Sequence, residues 1–248
     1  ISAFAELAEN SSTRVLVGYN QRHKPNTLKF LEVARDPALG ALTGLCSQML
    51  ESWDGILAAH FWMANEKDSY LAFTEQGGGA LLEHSHALNL FLFFAIELGQ
   101  GPAVKVEATV DWVDHESGRY DRESTLSITL KSGLVGEVKQ DLHTWPAIKE
   151  AEATFENGAL VWTMGGDSDS VTYKNSIGQI VEKWNFPKTR PDDFKGEIGH
   201  LGELLSRPTL TSTLDLSHGL QVMEVALAAL DSSATKQPVA PKPLKSNY

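Results

Sequence analysis

The sequence is short of cysteine, of basic charge and of long apolar runs, and each shortage excludes something. Cys46 is the only cysteine among 248 residues, so no disulfide forms within the chain and nothing favours an oxidising compartment. It lies in the apolar run ALTGLCSQML, where a free thiol is expected to pack as a small hydrophobe. Lys and Arg number 21 against 32 Asp and Glu, a net charge of -11. That balance leaves no footprint for a phosphate backbone, whose binding rests on basic patches, so nucleic acid is not an expected partner. The longest apolar stretch, Ala87 to Ile96, is interrupted by Asn89 and falls well short of the roughly 20 residues that cross a bilayer. A membrane is therefore not an expected partner either. No basic segment leads into an apolar core and cleavage site, so no signal peptide is read and the cytoplasm is the expected compartment. No internal repeat is visible.

What is present reads as an α+β protein. The chain opens on Ile1 and goes directly into ISAFAELAENSS, with Ile1, Phe4, Ala5 and Ala8 at helical spacing. The β-branched run TRVLVGYN from Thr13 follows as a buried strand. Pro25 can open a second helix reaching Arg35, DPALG is turn chemistry, and a strand is expected from Leu42 to Glu51. Residues 53–76 hold Trp53, Phe61, Trp62 and Tyr70 without a clean period, and read as a long loop with short helical turns. A single strong helix is expected from Gly79 to Leu98, closed by Gly99. Seven short segments follow, at 103–113, 123–131, 134–143, 148–156, 159–163, 170–174 and 179–185. They are partly alternating, rich in Val, Thr, Ile and Trp, and separated by turn signals, which predicts an open, mostly antiparallel sheet with helices on one face. Helices at 192–206 and 215–230 complete the fold, and the tail SSATKQPVAPKPLKSNY is expected to be extended or disordered.

Within the helix from Gly79, the stretch GGGALLEHSHALN carries the chemistry. Glu83 and His86 stand one turn apart and Asn89 continues the polar wedge. Buried without partners, each would cost on the order of 1–3 kcal/mol, so they must face one another, water or a ligand. A carboxylate beside an imidazole orients the ring and raises its basicity, giving a proton shuttle near neutral pH. The other reading of the same residues makes Glu83 a first-turn acid complementing the helix dipole and the histidines satisfied core residues. A metal reading also exists, because Glu197 and His200 repeat the Glu-x-x-His spacing with Glu203 one turn later, as in di-iron bundles. Such a bundle needs further ligand helices, and the central chain reads as strand. No third ligand at a recognisable spacing joins His84 and His86, and no metal is expected.

Taken together, VGYNQRHKP at 17–25 and SYLAFTEQGGGALLEHSHALN at 69–89 resemble the glucose-fructose oxidoreductase and inositol dehydrogenase family of NAD(P)-dependent oxidoreductases. Members carry a Gly-Tyr-Asn-x-Arg-x-x-Pro segment where the dinucleotide domain ends and a Gly-Gly-Gly-x-Leu-Leu-Asp/Glu-x-Ser-His helix in the second domain. The resemblance implies a Rossmann domain followed by an α+β domain whose sheet face packs on another subunit. Residues 1–22 would then be the last αβ unit of the dinucleotide domain, 23–233 the substrate-binding and oligomerisation domain, and 234–248 an extended tail. The glycine-rich dinucleotide fingerprint and the family's Glu-Lys-Pro lysine are absent, so NAD or NADP would be bound mainly by a part outside this chain.

By position, the resemblance makes Glu83 and His86 the active-site carboxylate and proton-transferring residue, aided by that outside lysine. Asn20 and Tyr19 would lie toward the cofactor, and Arg22, Asn89, His84, Trp53 and Tyr70 toward a small-molecule substrate. For Arg22 a structural ion pair and for Trp53 and Tyr70 a loop-pinning role are equally open, and Tyr19 also reads as junction packing. Ala87-Leu88-Asn89 stands where the family has Glu-Leu-Asp, removing a second carboxylate. The activity implied is hydride transfer to or from a polyol, sugar or sugar-nucleotide in a homo-oligomer. The rival from another class is a non-catalytic binding or assembly module on the same scaffold, which fold alone does not exclude.

Overall fold

A computed structural model of the protein describes residues 13–59, 61–189 and 191–244. The helix expected over residues 1–9 lies outside them. Pro25, with no N–H to lose, starts α1 (Pro25–Ala34), which buries Phe30, Leu31 and Ala34. Asp36 accepts a hydrogen bond from the Ala38 amide, and Gly40, at φ 77°, leads out of the turn into β1 (Leu42–Leu50). The loop that follows holds α2 (Trp53–Ala59) and three single 3-10 turns, at Glu66–Asp68, Tyr70–Ala72 and Thr74–Gln76. Next come α3 (Ala80–Glu83) and α4 (His86–Glu97). The strand-rich half runs β2 (Ala103–His115), β3 (Gly118–Leu130), β4 (Val135–Asp141), β5 (Ile148–Phe155), β6 (Gly158–Thr163), β7 (Ser168–Asn175) and β8 (Ile180–Pro187), before α5 (Asp192–Ser206) and α6 (Leu216–Thr235).

All eight strands form one open sheet in the order β2-β3-β4-β1-β5-β6-β7-β8. Every pairing is antiparallel except β1 with β4, because β1 enters the middle of the sheet from the helical half of the chain. Alternation along the strands separates two faces. In β4, Val138 and Gln140 point into the core while Glu137 and Lys139 point to solvent. The core face is covered by α1, α4 and α6, which share one cluster with the sheet: Phe30, Leu88, Phe91, Phe94, Leu126, Ile128, Trp162, Val222 and their neighbours. Phe30 stacks on Phe94 with centroids 4.2 Å apart. No single helix among the described residues is long and apolar enough to cross a membrane; α4, the most apolar, is almost wholly buried in this cluster.

Four expectations are corrected. The run TRVLVGYN makes no strand: only Leu16 bridges, to Asp215, with Val17 N–H donating to Leu214 O at 2.8 Å. A β-branched segment becomes a strand only beside another, and the one segment beside it is the short link into α6. The helix from Gly79 breaks at His84 and Ser85, so that Thr74–Glu83 and His86–Glu97 meet at 59°. Cys46 is not a core residue but lies exposed on the solvent face of β1, where the strand's alternation puts it opposite Leu45 and Ser47. The tail is tied down: Val239 and Val106 exchange both backbone hydrogen bonds, at 2.8 and 2.9 Å, and the Leu244 amide donates to Glu224. Ser232 and Ser233 of α6 accept from the Ala108 and Val110 amides. Helix end and tail thus satisfy the open N–H row of the edge strand β2, a position that otherwise invites another chain.

Candidate active site

The GGG segment positions the site through space. A Cβ on Gly78 would collide with the carbonyl oxygens of Tyr70 and Leu71, and one on Gly79 with Asp121 Oδ1. Gly79 also holds φ 92°, a backbone state that L side chains rarely adopt. These contacts bring the start of α3 against β3 and β4. Asp121 Oδ2, fully buried, accepts from the Leu81 amide at 2.6 Å, and Gln140 Nε2 donates to the carbonyls of Ala80 and Leu81 at 3.2 and 3.0 Å. Burial pushes the Asp121 carboxyl up to about 6 in spite of the amides that stabilise its charge.

So clamped, the end of α3 and the start of α4 deliver Glu83, His84 and His86 to a cleft of about 840 Å³. Its other walls are Gly18, Asn20 and Gln21, the ends of β1 and β5 with Met49, Glu51 and Lys149, the Gly165–Asp167 turn, and Lys188, Asp193 and Phe194 at the start of α5. His86 is pushed down to about 4, first by burial and then by His84 and Lys149. Burial also lowers His84, against the pull of Glu51 and Glu83. Both rings are therefore neutral near pH 7. His86 Nδ1 and His84 Nε2 have no hydrogen-bond partner among the described residues.

Glu83 and His86 both reach the cleft, but the expected bond between them is replaced by another. The Tyr70 hydroxyl donates to Glu83 Oε2 at 2.6 Å, and burial plus that carboxylate push the phenol up to about 12. The break in the helix turns Glu83 toward the loop, and His86 is left without the carboxylate that would raise its basicity. Tyr70 therefore serves by holding Glu83. Tyr19 packs edge-on against His86, centroids 5.5 Å apart, and its hydroxyl donates to Ser85 Oγ. Asn20 lines the cleft and donates to the Asp193 carbonyl at 3.2 Å.

Four expected substrate contacts fall outside the cleft lining: Tyr70, which reaches it only through Glu83, and Arg22, Asn89 and Trp53. Arg22 is 3% exposed and turned away. Its Nε donates to Asn89 Oδ1 at 3.0 Å, its Nη1 to the Thr213 carbonyl, and its guanidinium lies 5.0 Å from the Phe93 ring centroid. Burial lowers it to about 10. A desolvated guanidinium needs acceptors on all sides, and Asn89 is one of them, so Arg22 and Asn89 form a junction tie. Trp53 lies against Tyr120, centroids 4.8 Å apart, in a small cluster with Leu71, Ala80 and Leu142, and pins the loop.

Two ion clusters went unread in the sequence. Lys149 Nζ meets Glu51 at 2.6 Å beside the histidines. Lys24 and Asp169, each 3% exposed, pair at 2.7 Å, and Lys188 meets Asp169 at 3.0 Å and Asp193 at 2.8 Å; a Lys24–Asp193 pair closes the square. It ties the start of α1 to β7, the end of β8 and the start of α5. The only sequence signals were a lysine before Pro25 and an aspartate inside a strand, and neither names its partner. The Glu-x-x-His of α5 is used otherwise: His200 stacks on His23 at 4.2 Å and bonds Ser212 Oγ at 2.7 Å. Among the described residues no three His, Cys, Asp or Glu side chains are grouped to hold a metal ion.

No protein-family model and no curated protein sequence matches the chain. Solved structures do match. An NAD binding oxidoreductase from Klebsiella pneumoniae aligns with 97% of this chain and 69% of its own at 13% identity and a TM-score of 0.72. An aldose-aldose oxidoreductase from Caulobacter crescentus, complexed with glycerol, aligns with 96% of this chain and 68% of its own at 15% identity and 0.73. A levoglucosan dehydrogenase in complex with NADH and L-sorbose aligns with 98% and 70% at 17% identity and 0.74. At such identities the likeness is one of fold: along nearly its whole length, this chain has the fold of the larger part of each of these oxidoreductases.

Proposed function

We propose that this chain is the substrate-binding part of an NAD(P)-dependent oxidoreductase acting on a CH–OH carbon of a polyol, sugar or sugar-nucleotide. The observation that carries the reading is the polar cleft wall, where His84 Nε2 and His86 Nδ1 stand without partners among the described residues. Buried polar atoms require hydrogen bonds, and a ligand rich in hydroxyls supplies them. The shared fold and the polyol and sugar ligands named for two of the neighbours, glycerol and L-sorbose, agree with it.

The described residues do not themselves fit a dinucleotide. The cleft's cations, Lys149 and Lys188, already hold carboxylates, and Gly165-Gly166 lie between two strands rather than ahead of a helix, so a pyrophosphate meets neither free charge nor helix terminus. NAD or NADP belongs in this reading to a Rossmann domain that ends at residues 1–22, and the hydride chemistry is the cofactor's. The part left to this chain is to bind and orient. His86, neutral, accepts the hydrogen bond of a substrate hydroxyl at Nδ1 and is the site to which that proton moves. Glu83, fixed by Tyr70, accepts a second hydroxyl, while Tyr19 and Asp121 hold the two helices that carry these groups. The solvent face of the sheet, lined with Thr, Glu and Lys, is in this reading the homo-oligomer surface.

The test joins this chain to its dinucleotide domain and screens polyols, sugars and sugar-nucleotides for NAD(P)H formation. Turnover of at least one class is expected. A joined protein that binds no nicotinamide would overturn the reading.

A further inference from the structure

The charges around the cleft differ in what holds them. Lys188 is shared between two carboxylates, Asp169 and Asp193, and is 10% exposed. Its charge is already matched by those carboxylates. Lys149 has one partner, Glu51, at 2.6 Å, and the two side chains remain 22% and 26% exposed. This pair stands at the histidine wall: both of its charges act on His84, and Lys149 acts on His86. Neither histidine adds positive charge near pH 7, and Arg22 is committed to Asn89 and Thr213 on the far side. On the negative side, Glu83 is held by the neutral Tyr70 hydroxyl, and Asp167 forms no ion pair among the described residues. Among the described residues the cleft therefore has no unpaired cation and two carboxylates without one.

We propose that Glu51 is a specificity-determining residue. By neutralising Lys149 beside His86, it reserves the cleft for uncharged polyhydroxy ligands and turns away the corresponding sugar acids. The proposal rests on the reading of this cleft as the substrate site. Glu51 follows β1 by one residue and Lys149 is the second residue of β5, the strand paired with β1, so register brings the two together. Removal of the Glu51 charge alone leaves an ammonium facing the cleft, the anchor that a carboxylate needs.

D-glucitol and D-gluconate test this directly, since they share a six-carbon polyhydroxy chain and differ in one carboxylate. Their binding to the 248-residue chain is followed by NMR of the histidine rings. Wild type is expected to prefer glucitol. Glu51→Gln should move the gluconate-to-glucitol ratio roughly tenfold toward gluconate, the scale of one uncompensated charge a few ångströms away in a partly solvated site. Lys149→Gln should move it the other way, and Glu51→Gln/Lys149→Gln should restore the neutral preference, so the proposal remains testable if one variant does not fold. A wild type that takes gluconate as well as glucitol, or a ratio unmoved in the folded variants, overturns the role of Glu51 and leaves the oxidoreductase reading standing. If neither compound perturbs His84 or His86 in any folded protein, the proposal and the substrate-site reading fall together.

Discussion

Replacing Asp121 with Asn should change how stability depends on pH before it changes anything else. Asp121 is fully buried at the N-terminus of α3, accepts the Leu81 amide through Oδ2 and leaves Oδ1 without a partner. Burial raises its carboxyl from 3.8 to about 6. The folded state therefore binds more protons than the unfolded one between those values, and this group's contribution falls as pH rises through that window and is constant above it. A displacement of about 2 units corresponds to ~3 kcal/mol. Asn keeps an acceptor for the Leu81 amide and cannot ionise. Urea unfolding of wild type and Asp121→Asn at several pH values from 4 to 7 should show the variant gaining on wild type by up to ~3 kcal/mol as pH rises. Taking the difference removes the opposing histidine contribution common to both proteins. Parallel stability curves across the window would refute the assignment of a raised, buried carboxyl to this cap.

Other outcomes follow from the same geometry. His86 titrates at about 4 when folded against an ordinary 6.5, so His86→Gln should remove a loss of stability, up to ~3 kcal/mol, that wild type suffers as pH falls from about 6.5 to 4. Gly79→Ala, which meets both the 92° φ and Asp121, should cost on the order of 3 kcal/mol in chemical denaturation, with part of the loss returned by adding Asp121→Ala. Lys24→Met should cost roughly 1.5–3 kcal/mol, because buried Asp169 loses one of its two cations and keeps only Lys188, and Lys24→Met/Asp169→Leu should be more stable than the single variant.

The parts of the fold legible in the sequence were those whose signals are local. The seven strands after Pro102 were marked by alternation and turn residues, and α1 by Pro25. Residues 13–20 were misread because β-branching reports a preference and not the presence of a neighbour. The single helix from Gly79 was an error of a different kind: its apolar pattern is continuous, whereas the break at His84 and Ser85 answers to the clamp by Asp121 and Gln140, residues about 40 and 60 positions away. The same distance in sequence explains the site. Glu83, His84, His86 and Asn20, which line the cleft, stand in two motifs that can be read locally. Lys149, Glu51 and the Lys24–Asp169–Lys188–Asp193 square do not, since each needs the register of β1 with β5 or the packing of α5 to bring its partners together. By sequence Arg22 reads toward the substrate or into a junction ion pair and Asn89 as part of a polar wedge, and the structure instead bonds Arg22 to Asn89 and to the Thr213 carbonyl.

The central claim is that the cleft carrying His86 is where substrate is held for hydride transfer. It is tested most directly by kcat/KM for NAD(P)H formation in this chain joined to the dinucleotide domain that the proposed function calls for, wild type against His86→Gln. The account predicts intact nicotinamide binding and a loss on the order of 100-fold, the scale of one proton-transferring group. Undiminished turnover in His86→Gln would contradict it.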